Sequence, residues 1–247
     1  MREAILSVSG LTKRFGGVHA LEKVDFDLHP GEVLALAGDN GAGKSTLIKT
    51  ISGVHQPNEG EIRFRGRPVS FADPRAAREA GIETIYQDLA LADNLDVGAN
   101  VFLGREPMRR ILGFLPALDR PRMASEAAKL IATLDIVLPR LDLPVRSLSG
   151  GQRQAVAIGR AVFWNAAVLI MDEPTAALGV PEQRKLVALI HSLRAADKAV
   201  IFISHNLADI FSVADRIMVL RRGRKAGERV AGETSGDEIV KLMVGSA

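Results

Sequence analysis

The stretch that most constrains this chain is Gly38-Asp39-Asn40-Gly41-Ala42-Gly43-Lys44-Ser45, a G-x-x-x-x-G-K-[ST] string. The residues before it, Val33 to Ala37, read as a short buried strand, and Thr46 to Ser52 after it read as a helix ended by Gly53. A glycine-rich turn in that context wraps closely around an anion, with successive N–H groups pointing inward and the positive end of the helix dipole behind them. The spacing predicts that Lys44 reaches the β- and γ-phosphates of a nucleoside triphosphate and that the Ser45 hydroxyl holds Mg²⁺. A turn that binds nothing is the plain alternative, and the flanking strand and helix argue against it.

Along the chain, Ile5 to Val8 and Val24 to Leu28 read as strands, the second alternating apolar and polar. Phe15 lies between them in the Gly-flanked segment Lys13 to Gly17. It is either an aromatic that stacks on a base or a loop residue tucked against the core. Glu61–Phe64 and Val69–Phe71 read as a hairpin through Arg65-Gly66-Arg67, Pro74–Ala80 as a short helix, and Ile82–Tyr86 as a strand ending at Gln87.

From Asp88 to Arg146 strand signals disappear, and helices are expected over Asp96–Leu103 and Arg120–Leu134, the latter apolar at Met123, Ala127, Leu130, Ile131 and Leu134. The basic and bulky apolar segment Arg105 to Leu115 between them is either a connector with a small core of its own or an exposed docking surface.

Regular alternation returns at Ser149. A helix runs to Phe163, then strand Val168–Met171, helix Pro181–Ala195, strand Ala199–Ile203, helix Leu207–Ala214 and strand Arg216–Leu220. A last strand spans Lys225–Val230, and Ser235 caps a final helix. Strands alternating with helices imply an α/β fold with a mixed, mainly parallel sheet, to which the early hairpins add an antiparallel edge. No internal repeat and no second P-loop are present.

Four further pieces narrow the chemistry. The apolar run Val168 to Met171 delivers Asp172 and Glu173 to the carboxyl end of the sheet, Asp172 to anchor Mg²⁺ and Glu173 to polarise the attacking water. Ser149-Gly150-Gly151-Gln152 fits an S-x-x-Q capping box; it is either a well-capped helix or a second anion grip, in which case one nucleotide is held between two chains. Ile203-Ser204-His205 ends a strand in a histidine, and Gln87 sits at another strand end, where its amide can touch Mg²⁺ or the water.

These pieces, in this order, resemble the ATP-binding subunits of ABC transporters over almost the whole chain, Leu148 to Gln152 followed by Asp172-Glu173-Pro174 being specific to that superfamily. The resemblance implies a P-loop NTPase fold of the ABC type, one domain over residues 1–247 with a helical subdomain at about 88–164 inserted in a RecA-like core. It matches Phe15 to the adenine-stacking aromatic, Gly38 to Thr46 to the P-loop and Gln87 to the Q-loop. Ser149, Gly150, Gly151 and Gln152 match the signature that acts in trans. Asp172 and Glu173 match the magnesium-site aspartate and catalytic base, and His205 the switch histidine; Lys44, Glu173, His205 and Gln87 are the catalytic set. It further implies ATP and Mg²⁺, a head-to-tail homodimer, membrane permease subunits met by the region after Gln87, and indirect coupling to an extracytoplasmic sugar-binding protein, with no nucleic acid.

One position departs: Ala176-Ala177-Leu178-Gly179 stands where the general pattern has S-A-L-D, so the carboxylate that crosses the dimer interface is missing. The same string, with Tyr86 to Leu89 and Ala99 to Glu106, is similar to the monosaccharide-importing branch, many of whose members fuse two ATP-binding halves. With one half, this chain looks like the single-domain variety and has to pair with itself.

Composition bounds these readings. The chain has 247 residues, 47% of them hydrophobic and 25% charged, within the range of a globular protein. No apolar run is long enough to span a bilayer, and the Met1-Arg2-Glu3-Ala4 start is not a signal peptide; the resemblance to ABC ATP-binding subunits implies a peripheral place at the cytoplasmic face of the inner membrane. Zero cysteines exclude disulfides and thiolate metal sites, and the five histidines form no H-x-x-x-H pair. A net charge of +3 does not argue for nucleic acid. The alternative function, a soluble ABC ATPase of DNA repair or translation, usually brings long coiled arms or two ATP sites, and neither is in the sequence.

Overall fold

The computed structural model describes residues 3–112, 114–133, 138, 140–176 and 178–245. The chain forms two compact units: residues 1–87, 166–176 and 183–247 in one, residues 88–165 and 177–182 in the other.

The first unit opens with β1 (Leu6–Phe15), β2 (Val18–Leu28) and β3 (Val33–Ala37), followed by α1 (Lys44–Ile51). The hairpin β4 (Glu59–Phe64) and β5 (Arg67–Val69), helix α2 (Pro74–Ala80) and strand β6 (Ile82–Ile85) complete its N-terminal part. β1 is longer than the run Ile5 to Val8 expected from alternation. Register shifts against β2 after Val8 and Leu11 carry it onward, with Gly10 at φ +59°. Such bulges break the period of two that a sequence reading depends on, while pairing continues. Phe15 is therefore the last residue of a strand, paired with Val18 across the turn, and not a loop residue.

In the second unit, α3 (Val97–Val101) is followed by β7 (Met108–Ile111) and β8 (Leu115–Leu118), an antiparallel hairpin in a segment read as free of strands. Pro116 and apolar side chains on both faces hid it, since neither gives an alternating pattern. Then come α4 (Arg120–Thr133) and α5 (Gly150–Phe163); Leu134, expected at the end of α4, lies outside the described residues. Asp96 caps α3 through the Ala99 N–H at 2.7 Å. A second core forms here from Val97, Val101, Met123, Ala127, Leu130 and Val156, with Phe102, Phe163 and Trp164 packed edge to face.

Back in the first unit, β9 (Val168–Asp172), α6 (Val180–Ala195), β10 (Ala199–Ile203), α7 (Leu207–Val213), β11 (Arg216–Arg221), β12 (Arg224–Val230) and α8 (Gly236–Val244) follow, the first turn of α6 belonging to the second unit. Two sheets result. One has six strands in the order β12-β11-β3-β10-β9-β6, parallel except for β12 at its edge. The other is a separate antiparallel sheet, β2-β1-β4-β5, so the early hairpins form a layer of their own while β12 supplies the antiparallel edge. One apolar core serves both layers: Leu6, Val8 and Phe26 from the antiparallel sheet join Leu36, Ile201 and Met218 from the parallel one and Ile48 from α1. β3 and β10 are buried at every residue, which is why they read as unbroken apolar runs.

Candidate functional site

Parallel strands end on the same side of a sheet, and the loops that follow them collect there. Here four strands leave functional side chains at that edge: the P-loop after β3, Ser204 and His205 after β10, Asp172 and Glu173 at the end of β9, and Gln87 just beyond β6. All of these but the buried Ser204 line one cleft of about 880 Å³, whose walls include every residue from Gly38 to Thr46 together with Gln87, Asp172, Glu173 and His205.

The P-loop conformation depends on its glycines. Gly43 holds φ +107° as the N-cap of α1, and a Cβ there would lie 2.8 Å from the Ala20 carbonyl. At Gly38 the same added atom would stand 2.4 Å from the Leu220 carbonyl. Because the cap residue is glycine, α1 starts with no side-chain cap and no acid in its first turn, so its leading N–H groups face the cleft uncompensated. Lys44 Nζ folds onto the loop, donating to the carbonyls of Gly38 at 2.5 Å and Asp39 at 3.1 Å. Burial pushes its ammonium below the usual lysine range, against the pull of Glu173, Asp172 and Asp39.

The acidic pair has its own geometry. Glu173 takes a left-handed backbone, φ +51°, while its N–H donates to the Ile203 carbonyl at 2.9 Å. That bond ties the end of β9 to the end of β10 and sets the Glu173 carboxylate 2.8 Å from His205 Nδ1. Asp172 is pushed above the usual aspartate range, first by burial and then by the Glu173 charge beside it, against Lys44 and Lys49. Among the residues lining the cleft, Asp39, Asp172 and Glu173 outnumber Lys44 and Arg222, which leaves negative charge in excess. A hard divalent cation with oxygen ligands relieves that excess, and Ser45, Gln87 and Asp172 line the same cleft with such oxygens.

Phe15 is not among the residues lining the cleft; its ring is edge-on to His55 at 5.1 Å, under Lys13 Nζ at 5.1 Å. The walls do include Val18, His19 and Ala20 at the start of β2, Arg222 and Gly223, and Met243 of α8, none of which the sequence reading named as a site residue, although it placed a turn at Gly223. Arg222-Gly223 is the two-residue turn of the β11–β12 hairpin, with φ +47° and +77°. An x-Gly pair between two strands is the signal that marks such a turn. The Gly223 N–H donates to the Ala42 carbonyl at 2.9 Å, bracing the P-loop from below.

Ser149 to Gln152 belong to the second unit. The capping box is formed: the Ser149 hydroxyl accepts from the Gln152 N–H at 3.3 Å and Gln152 Oε1 accepts from the Ser149 N–H at 3.0 Å. Against Gly151 lies the side chain of Glu182.

A strand, a glycine-rich turn and a helix, set in a parallel sheet with an acid-ended strand two places away, define a P-loop NTPase. The ABC transporter family model matches residues 21–176. The chain is 49% identical over 227 residues to the fructose import ATP-binding protein of Rhizobium meliloti, covering 91% of this chain and 87% of that protein. It is 46% identical over 243 residues to the xylose/arabinose import ATP-binding protein of Sulfolobus acidocaldarius, covering 98% and 95%. Among solved structures, a nucleotide-free ATP-binding cassette from an ABC transporter superimposes with a TM-score of 0.82 at 26% identity, over 98% of this chain and 96% of the other. A dimeric post-hydrolysis cassette bound to ADP and phosphate gives 0.77 at 25% identity, over 92% and 98%. The chain belongs to the ABC transporter family, as an ATP-binding, ATP-hydrolysing cassette.

Proposed function

We propose that this protein is the energising subunit of a monosaccharide importer, with ATP bound in the cleft between Gly38 and Thr46. The observation that carries the proposal is the convergence of Lys44, Gln87, Asp172, Glu173 and His205 on one cleft with the P-loop. The names of the relatives, fructose and xylose/arabinose import proteins, supply the class of cargo.

Each residue has a defined task. The N–H groups of residues 41–46 and Lys44 hold the phosphates, and Phe15, at the end of the β1–β2 hairpin, is the aromatic that stacks on the adenine. Ser45, Asp172 and Gln87 hold Mg²⁺, which when bound neutralises charge on the phosphate oxygens. Glu173 accepts the proton of the attacking water and His205 orients its carboxylate. Ser149, Gly150, Gly151 and Gln152 serve the nucleotide of a second copy, so the working form is a homodimer with two shared sites; the dimeric cassette among the structural relatives supports this reading.

Residues 1–247 act as one ATP-binding domain, with the helical part after Gln87 meeting membrane permease subunits. That places the protein peripherally at the cytoplasmic face of the inner membrane, where an extracytoplasmic sugar-binding protein is coupled indirectly. No helix among the described residues is long and apolar enough to cross a membrane.

The test is size-exclusion chromatography of Glu173→Gln with ATP. Slow turnover is expected to trap a dimer, and a species that stays monomeric at high ATP overturns the shared-site reading. Lys44→Ala is expected to abolish turnover, and recovery of a polytopic membrane protein with the tagged wild type supports the importer assignment.

A further inference from the structure

The hairpin β7–β8 does not line the cleft, and its strands pair only with each other among the described residues. Its side chains are unusual in three respects. Six of the fourteen exposed large hydrophobic residues among the described residues fall within 108–118. The two most exposed flank the tip of the hairpin, Leu112 at 79% and Phe114 at 73%. Both faces are apolar: the register sets Met108 opposite Leu118 on one and Ile111 opposite Leu115 on the other. A hairpin covering a core, or docking one-sidedly on a protein, gathers its apolar residues on a single face.

The charge is equally localised. Residues 105–122 hold five arginines against Glu106 and Asp119, a net +3 that equals the net charge of the whole chain. Both acids are engaged with backbone: Glu106 accepts from the Gly104 N–H at 3.0 Å, and Asp119 from the Arg122 N–H at 3.2 Å. Arg105 stacks on the Trp164 ring at 4.7 Å. Arg109 and Arg110, one on each face, have no ion-pair partner among the described residues.

We propose that this hairpin is a membrane-surface contact, Leu112 and Phe114 entering the headgroup region of an anionic bilayer while Arg109 and Arg110 meet lipid phosphates. An interfacial medium surrounds an inserted element on all sides, which suits a protrusion apolar on both faces with a basic collar behind its tip. The phosphate layer supplies the missing counter-charge. The contact is separate from ATP hydrolysis and does not depend on the importer reading, so its failure leaves that reading intact.

The chain has no cysteine, so Phe114→Cys carries a single environment-sensitive fluorophore in the full-length protein. With phosphatidylglycerol vesicles at low salt, a blue-shifted and intensified emission is expected, with partition ~10-fold or more tighter than onto phosphatidylcholine alone. Arg109→Glu/Arg110→Glu in the labelled background is expected to remove that preference, and a label at Glu79→Cys on α2 is expected to stay silent, with ATP turnover unchanged in all three. Absence of a shift on anionic vesicles overturns the proposal. So does an equal shift on both lipids, a shift that appears with protein concentration alone and so reports a second copy, or one that appears only when the vesicles carry a membrane protein partner.

Discussion

Glu173 Oε2 stands 2.8 Å from Nδ1 of His205, a contact made across the ends of two adjacent parallel strands. Glu173 is largely buried, with 15% of its side chain exposed, whereas His205 is 71% exposed. The buried partner is held by its left-handed backbone and the bond to Ile203, while the histidine presents most of its ring to solvent. Removing the base should cost more than removing its orienter. Glu173→Gln is expected to slow ATP hydrolysis by ~10²- to 10⁴-fold with nucleotide binding retained, and His205→Ala by less. Steady-state turnover alongside equilibrium nucleotide binding checks both, and a Glu173→Gln enzyme within tenfold of wild type would remove the glutamate from the base role.

Asp172 gives a pH signature in the nucleotide-free protein. Burial and the neighbouring Glu173 raise its pKa above the ordinary aspartate value. A carboxyl raised on folding contributes stability that is fully present below its unfolded pKa and is lost as pH rises through its folded pKa. The wild type is therefore expected to lose stability over that window in metal-free buffer, and Asp172→Asn, neutral and nearly isosteric, to escape the loss. Thermal melts of the two proteins across the acid-to-neutral range should diverge as pH rises, the variant ending higher; parallel curves would mean that Asp172 is not strained by its surroundings.

Asn100 is the polar keystone of the second unit. It is fully buried, and its amide nitrogen donates to the carbonyls of Ala92, Leu95 and Asp96 while its oxygen accepts from the Ala92 N–H at 2.7 Å. The three carbonyls keep backbone donors in Leu95, Val145 and residue 100 itself, so Asn100→Leu leaves chiefly the Ala92 N–H without its acceptor in an apolar core, at an expected cost of about 1–3 kcal/mol. Hydrogen exchange is expected to rise first in residues 88–105, with the P-loop segment unchanged.

Gly151 lies under Glu182. A Cβ added at 151 would stand 2.5 Å from Glu182 Cγ, and one added at Gly179 would stand 2.8 Å from Glu182 Oε2. Position 179 lacks a side chain, and the carboxylate of Glu182 occupies the space beside it. Gly151→Ala is expected to destabilise the unit by about 1–3 kcal/mol through overpacking. Gly151→Ala/Glu182→Ala is expected to recover most of that loss, a coupling that a double-mutant cycle reads directly. Two effects that simply add would show that the glycine answers to something other than Glu182.

Much of the molecule was legible because its signals are short-range. The P-loop string, the Ser149–Gln152 capping box, the apolar run ending at Asp172 and the helix Pro74–Ala80 each depend on residues within a few positions of one another. Expected and observed boundaries agree at the two strands buried at every residue, Val33–Ala37 and Ala199–Ile203. Where pairing continues through bulges, as in β1, or where both faces stay exposed, as in β7 and β8, the periodic signal is absent although the strand is real.

The sequence by itself determined which chemistry is available: a glycine turn shaped for phosphate, a lysine, two adjacent acids, a histidine and a capped helix, each set by local spacing. Only the tertiary structure decided that these groups meet. Strand order β3-β10-β9-β6 brings residues 44, 205, 173 and 87 to one edge. Val18, Arg222 and Met243 join the same cleft from distant parts of the chain. The reason is physical: side-chain spacing along a strand is a property of neighbours, whereas strand order is chosen by burial of the whole core.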